Sequence, residues 1–481
     1  MPKLKRSRTP KQSIVKINLL APLLISMLVY ATTLQTHVAG SFAEGRSKEL
    51  LLKNEYIKDV GEIQVALNVW GTVHHTGYPL FAILGNLFTA ALRPLQVEPA
   101  TAASLYAMTW GLVALAGVGL LLWRMTGKLN ESLMFVGVLA LARSIWIHNV
   151  IAEVYSMSLA ITVLMLVVAL WPDPWAGRWS TRRRVWMLAL LGGIGVAHHR
   201  AIVFVAPGLL WAVWPHVWAE RRDWKRIVLP AMGLALLGFL PYVYLPLREW
   251  QGGEWVYGEP GTWRGFWTEF SGREADRLVT LPADLNGWLD NGRDVVDILV
   301  AEISLPGLIL GVAALIGVLI FSPYRRTAQV LVLCAVGPTL FAVAYHTAVL
   351  PEAILMPTVL ILVMGVALGV NTLAQSRPVW TVLALIGALI WFLILFFLNG
   401  DYISELVDEP TGIRTIERLE QLRAELPDDA QVAVMYPWGP RYFAASYSRL
   451  VTEENADWVI VDHKANYRQI IADGYDLYTE R

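Results

Sequence analysis

Long apolar runs bounded by charge dominate this chain and leave it few ways to fold. A helix needs roughly 20 mostly apolar residues to cross a bilayer, and backbone polar groups in lipid must bond within their own segment. Such runs lie at 18–34, 102–123, 133–147, 151–171, 185–197, 201–214, 227–247, 303–321, 328–345, 354–371 and 379–398. They predict about eleven spans, an all-α polytopic membrane protein. Composition agrees: 16% of residues are charged, against about a quarter in a soluble protein, which excludes a soluble globular enzyme. Lys+Arg and Asp+Glu both total 39, so no net charge points to nucleic acid as a partner. The single cysteine, Cys334, excludes intrachain disulfides and cysteine-based zinc sites.

Charge placement orients the chain. Lys3, Lys5, Arg6, Arg8, Lys11 and Lys16 precede the first run and should stay cytoplasmic. A cleavable signal peptide ending near Val38-Ala39-Gly40 is the alternative, but the run is long for a signal core. With the N-terminus inside, the inside loops carry Arg124 and Lys128, Arg178 and Arg182 to Arg184, Arg221, Arg222, Lys225 and Arg226, Arg325 and Arg326, and Arg377. The expected location is the plasma (inner) membrane, with the C-terminus extracytoplasmic. Two large outside loops follow, 35–93 and 248–302, within a membrane domain spanning 1–398. Within the first loop, 79–92 is apolar but too short to cross, which predicts an interfacial or re-entrant helix. The tail, 399–481, has roughly twice as many acidic as basic residues. Its apolar runs at 431–436 and 458–462, separated by 441–450, read as strand, helix, strand in a small α/β domain.

Ionisable residues near membrane depth are costly, so their gathering on one face is the strongest functional signal. The first outside loop holds Asp59 and Glu62, three residues apart and on one face if helical, followed by His74-His75-Thr76-Gly77-Tyr78-Pro79. Such a carboxylate pair can provide a general base and a group that orients it, or can be a solvated helix start. Glu153 and Tyr155 open another helix at the same face, and His198-His199-Arg200 tops a hairpin. A planar arginine fork beside two imidazoles suits an anion, although a snorkelling helix end has the same composition. Arg248, Trp255 and Trp263 begin the second large loop.

A divalent metal is the less favoured reading, because the adjacent histidines lack the i, i+4 spacing that puts two imidazoles on one ion. No cofactor is expected. The chain has no Gly-x-Ser-x-Gly elbow, Walker loop or dinucleotide-binding glycine pattern, which argues against serine-hydrolase, ATP-driven and NAD chemistry.

At these positions the sequence resembles a bacterial group of multi-spanning proteins related to protein O-mannosyltransferases, with the GT-C glycosyltransferase fold. The resemblance rests on Asp59-x-Gly61-Glu62, the His74 to Leu80 block, Glu153-Val154-Tyr155, Gly195 through His199, and Pro241-x-x-x-Leu245-Pro246-Leu247-Arg248 with Gly258-x-Pro260 and Trp263. The family usually shows His-Pro-Pro-Gly-Tyr-Pro where this chain has His74-His75-Thr76-Gly77-Tyr78-Pro79.

The resemblance implies inverting transfer of a mannose-like sugar from a polyprenyl-phosphate donor to a hydroxyl on a protein, lipid or glycan acceptor, at the outer membrane face. Asp59 matches the family's catalytic carboxylate, with Glu62 orienting the acceptor or serving as alternative base. Arg200, with His199, His198, His74 and Arg248, is then expected to hold the donor phosphate. His75, Tyr78, Glu153, Tyr155, Trp255 and Trp263 are expected to line the approach. A catalytically silent scaffold in an envelope complex, and a lipid or solute transporter, are the competing readings. Charges gathered at one interface and the absence of repeat symmetry count against the transporter.

Overall fold

The structure is a computed structural model; it describes residues 24–42, 47–171, 181–272, 280–345, 350–377, 379–427 and 429–479. The apolar runs fall on helices. After α1 (24–32), the first loop folds into α2 (Lys48–Ile57), α3 (Val60–Ala66) and α4 (Pro79–Leu92). The membrane body continues with α5 (Pro99–Thr126), α6 (Leu129–Ala140), α7 (Arg143–Val150), α8 (Tyr155–Leu170), α9 (Thr181–His198) and α10 (Ala206–Ala219). It then runs through α11 (Trp224–Leu237), α12 (Tyr244–Trp250), α13 (Trp263–Ser271), α14 (Leu285–Phe321), α15 (Arg325–Ala344), α16 (Pro351–Ala374) and α17 (Val379–Val407).

Seven helical segments among the described residues are long and apolar enough to cross a membrane, and eight if α6 and α7, bent by 75°, form one broken span. That is fewer than the run count suggested, for local reasons. The first run is described only from residue 24, α8 has 16 residues, and α9 opens on Arg182, Arg183 and Arg184. The 79–92 helix forms with those bounds and packs on α5, α9 and α12. The break between α6 and α7 has an evident cause: Glu302 of α14 accepts the Ser144 backbone N–H and hydroxyl, capping α7 from another helix.

The expected boundary at 398/399 falls inside α17, which continues to Val407. Beyond it, α18 (Thr411–Glu425), β1 (Val432–Met435), α19 (Pro440–Leu450), β2 (Val459–Val461), α20 (Tyr467–Ala472) and β3 (Asp476–Thr479) make the α/β unit. Its three strands are parallel in the order β2-β1-β3, with Val434 opposite Ile460 and Tyr478. The third strand gave no sequence signal because neither of its faces is buried. Helix α19 packs directly on α3. A Cβ at Gly61 would lie 2.9 Å from Phe443 Cβ, so the two backbones approach at a position where a side chain would force them apart. Tyr447 extends the contact by bonding the Glu98 carboxylate and accepting the Ala100 N–H. The α/β unit therefore covers the helix that begins at Asp59.

Candidate active site

Every residue of α3 is buried, whereas Asp59, at its N-cap position, keeps a third of its side chain exposed and makes no capping bond with it. Its carboxylate is therefore available. Glu62, one turn on, is fully buried and committed: Oε1 accepts the His74 backbone N–H at 2.7 Å, and Oε2 pairs with His74 Nδ1 at 2.6 Å. The other imidazole nitrogen, Nε2, stands 3.9 Å from Asp59 Oδ2. Burial alone would depress the His74 pKa, but the carboxylates of Glu62 and Asp59 outweigh it and hold it at about 10. His74 is thus an imidazolium near neutral pH, while burial pushes the Glu62 carboxyl above its usual range.

Glu153 lies in the turn before α8, 5% exposed, where one oxygen accepts the Val154 N–H. Burial, reinforced by the negative charge of Asp59, raises its pKa to about 8. Two carboxyl groups that feel one another thus sit in contrasting environments, one partly open to water and one sealed, a pattern that separates base from acid.

Aromatic rings bind these groups into one cluster. Tyr78, in left-handed conformation at φ 40° just before Pro79, sets its ring 5.8 Å from His74, 5.9 Å from His198 and 6.3 Å from His199. Tyr155 lies 5.3 Å from His199, and His75 lies 3.6 Å from Glu269 of α13 and 5.2 Å from the Tyr257 ring. Of the positions expected from sequence, Asp59, Glu62, His74, His75, Tyr78, Glu153, Tyr155, His198 and His199 come together, from α3, the loop before α4, the turn before α8 and the end of α9.

Residues 59–221 match the family described as the protein O-mannosyl-transferase TMEM260 N-terminal domain. The mouse protein O-mannosyl-transferase TMEM260 is 27% identical over 223 residues, 44% of this chain and 30% of that protein. Its Dictyostelium discoideum namesake is 22% identical over 238 residues, 47% of this chain and 29% of that protein. The aligned stretch thus spans under a third of the length of these relatives. Among solved structures, ArnT from Cupriavidus metallidurans bound to undecaprenyl phosphate superposes with a TM-score of 0.58 at 12% identity, over 97% of this chain and 96% of that one. Its apo form gives 0.55 at 11%, over 94% and 90%. Residues 59–221 thus resemble the N-terminal domain of the TMEM260 O-mannosyl-transferases, and the chain as a whole has an ArnT-like GT-C fold.

The matched stretch contains Asp59, Glu62, His74, His75, Tyr78, Glu153, Tyr155 and His198 to Arg200, and excludes Arg248, Trp255 and Trp263. Within it, three side chains serve differently from the expected phosphate clamp. His198 directs Nε2 to the Val154 carbonyl at 3.0 Å and so holds the Glu153 turn. The His199 imidazole is held down at about 4 by burial and by Arg200, so it is neutral and brings no charge. Arg200 spends its donors on the carbonyls of Val196 and Phe270 and on the Tyr242 hydroxyl, with its guanidinium 4.9 Å from the Phe270 ring centre. Tyr242 in turn donates to the Thr76 and Ala197 carbonyls, so Arg200 ties the His74–Pro79 loop to α13.

Outside the matched stretch the expected positions scatter. Arg248 donates to the Trp70 carbonyl and Gln251 at the rim. Trp255 is buried against Trp438 and Tyr442 of the α/β unit, with ring centres 6.0 and 5.7 Å away. Trp263 is 80% exposed and meets Trp267, so it lines no enclosed space. Residues not singled out as site positions complete the cluster. Tyr257 lies between His75 and Trp438, and Glu269 faces His75. The Tyr257-Gly258-x-Pro260 turn is a usable signal, because Gly258 has φ 67° and a Cβ there would strike the Glu269 carboxylate. Trp438 had none, since its closeness depends on docking of a unit far along the chain.

Asp59, Glu62 and His74 are also the one group among the described residues whose ligand atoms all lie within 4.8 Å of one another, as a metal requires. A cation there would compete with the Glu62–His74 pair, which already balances one charge.

Proposed function

We propose that this protein transfers a mannose-like sugar from a polyprenyl-phosphate donor to a hydroxyl group of a protein acceptor, with inversion, at the extracytoplasmic face of the membrane. The observation that carries this reading is the uncommitted Asp59 carboxylate held beside the His74–Glu62 pair in a TMEM260-type domain. The mouse and Dictyostelium relatives are protein O-mannosyl-transferases, which supports sugar transfer to protein, and the undecaprenyl phosphate bound by the ArnT neighbour supports a polyprenyl-phosphate carrier.

In this mechanism Asp59 accepts the acceptor hydroxyl proton as the acceptor oxygen bonds to the anomeric carbon. The bond from that carbon to the donor phosphate breaks, and its electron pair leaves with the phosphate. His74 and Lys58 are the cations placed to meet that charge. Burial would depress the Lys58 ammonium, but Asp59 beside it and Glu55, 2.5 Å away, hold it above its ordinary value. Arg200 enters as a positioning residue for the loop that carries His74. No metal is assigned a step.

The test supplies the full chain in lipid nanodiscs with radiolabelled polyprenyl-phosphate mannose and a membrane protein fraction. Transfer by wild type and loss of at least about a hundredfold in Asp59→Asn are expected, the usual scale for a general base. Undiminished transfer by Asp59→Asn sinks the assignment, and no transfer with any polyprenyl-phosphate sugar favours the silent scaffold. The face is tested by Ala283→Cys and Ala219→Cys, both at exposed positions, since Cys334 is buried. A membrane-impermeant thiol reagent added to spheroplasts should label only the first.

A further inference from the structure

A second polar cavity begins one helical turn before Asp59. It has a volume of about 300 Å³ and lies between α2, α7, α14, α16 and α17. Two buried polar atoms in its wall have no hydrogen-bond partner among the described residues: Glu352 Oε2, on a residue 7% exposed, and the Tyr402 hydroxyl, on one 8% exposed. Unmet buried groups of this kind are rare in native interiors and mark the place of an absent partner.

The surrounding charges say what that partner is. Carboxylates enter the cavity from three helices: Glu49 from α2, Asp294, Asp297 and Glu302 from α14, and Glu352 from the first turn of α16. The cations in the wall are Lys48 and Arg143, and both are engaged. Lys48 pairs with Asp294 at 3.2 Å, while Arg143 donates to Asn399 at 3.1 Å and lies 4.6 Å from the Tyr402 ring centre. Glu302 is spent on Ser144. Among the described residues, Glu352 is thus buried with no cation within ion-pair distance, and Asp297 at the exposed mouth has none either, so the partner the buried carboxylate calls for is a positively charged donor.

An inorganic ion fits poorly. Among the described residues, the carboxylates of the cavity form no group of ligand atoms within 4.8 Å of one another; the one such group is at Asp59. The space instead suits an organic cation on a stem. Leu52 and Tyr56 form an apolar strip beside Glu49 on one face of α2, and the mouth opens to water between Lys48 and Glu49, whose side chains are 88% and 68% exposed. We propose that this cavity binds an alkylammonium or guanidinium group, the chemistry of a lysine or arginine side chain on the acceptor polypeptide. The link to the acceptor rests on the transfer reading above. Along α2 the cavity lies about 5 to 15 Å from Asp59 at 1.5 Å per residue. An extended polypeptide covers that in about two to five residues. The basic residue therefore stands within about five positions of the modified hydroxyl.

The binding test uses the full chain in phosphatidylglycerol nanodiscs and titration calorimetry with N-acetyl-lysinamide. N-acetyl-norleucinamide, which keeps the stem and lacks the ammonium, is the control. Lysinamide should bind, norleucinamide should not, and Glu352→Gln should weaken lysinamide by about tenfold or more. Asp59→Asn should leave that binding unchanged. If Glu352→Gln melts early, Asp297→Asn at the exposed mouth carries the same expectation. Equal binding of the two probes, no binding of lysinamide, or indifference to these substitutions overturns the proposal. Displacement of lysinamide by equimolar Mg²⁺ would assign the cavity to an inorganic ion, and blockage confined to phosphatidylethanolamine nanodiscs would assign it to a lipid headgroup; either overturns it. Lysinamide binding with transfer that ignores Asp59→Asn would refute the transfer reading and leave the cavity standing. The converse pair of results would refute the cavity alone.

Discussion

His74 stands between two carboxylates, with Nδ1 2.6 Å from Glu62 Oε2 and Nε2 3.9 Å from Asp59 Oδ2. The first contact is sealed in the core and the second reaches the partly exposed side. One imidazolium thus anchors a loop through Glu62 and presents a positive edge to the candidate base.

Breaking the sealed side should cost stability before it touches chemistry. Glu62→Ala leaves the His74 imidazolium without its buried counter-charge and its backbone N–H without an acceptor, at about 3 to 5 kcal/mol. Glu62→Gln keeps an acceptor and should cost about half as much. Thermal melts in nanodiscs check the order, and equal melting of Glu62→Ala and wild type would show that the pair is not formed.

The same triad sets an expectation for metal dependence. Because His74 already neutralises Glu62, sugar transfer should persist after exhaustive chelation and should not rise on adding Mg²⁺ or Mn²⁺. Loss on chelation with recovery by one of these ions, absent in Glu62→Gln, would turn Asp59, Glu62 and His74 into ligands.

Stability should fall as pH rises from 5 to 9. Glu153 is raised from 4.5 to about 8 by burial and Asp59, and His74 from 6.5 to about 10 by its carboxylates against burial. A group that holds its proton more tightly when folded stabilises fully below its unfolded pKa, and that contribution is lost as pH passes the folded value. Glu153 therefore acts between 4.5 and about 8, and His74 between 6.5 and about 10. Glu62, also raised, has the same sign. Glu153→Gln should flatten the lower window and leave the upper one. A melting temperature that climbs toward pH 9 would contradict both assignments.

The membrane body and the core of this site were legible in the sequence because each rests on local pattern. Apolar runs report span positions, and Asp59, Glu62, His74, Tyr78 and Glu153 sit beside segment ends that any helical packing must bring to one face. Legibility failed where tertiary pairing decides. Arg200 looks like a free anion clamp in a His-His-Arg triplet, yet the Phe270 carbonyl and the Tyr242 hydroxyl claim its donors from distant segments. Trp263 is expected from sequence to line the substrate approach and is 80% exposed, whereas Trp438 reaches the cluster only because α19 docks on α3.

The position of Arg200 yields a test that separates positioning from phosphate binding. Arg200→Ala removes bonds from a charged donor to two carbonyls and a hydroxyl, and should lower stability by about 2 to 3 kcal/mol. Tyr242→Phe, which removes the next link to Thr76, should reproduce part of the loss and shift kcat in the same direction. If Arg200→Ala instead raises the donor KM at unchanged stability while Tyr242→Phe is silent, Arg200 contacts the phosphate.

Docking of the α/β unit on α3 should be sensitive to a single methyl group. At Gly61 an added Cβ lies 2.9 Å from Phe443 Cβ, a distance that requires α3 and α19 to separate. Overpacking of this kind costs about 1 to 3 kcal/mol. The strain falls one residue before Glu62, which bonds His74, on one side and near the Trp438–Tyr257 contact on the other. Gly61→Ala should therefore increase proteolytic cleavage within 408–431 and reduce transfer, and because Phe443→Ala keeps the colliding Cβ, only in a Phe443→Gly background should the further change Gly61→Ala cost little additional protection. Unchanged proteolysis in the single variant would mean that the α/β unit is held to the membrane body through Tyr447 and Glu98 rather than through α3.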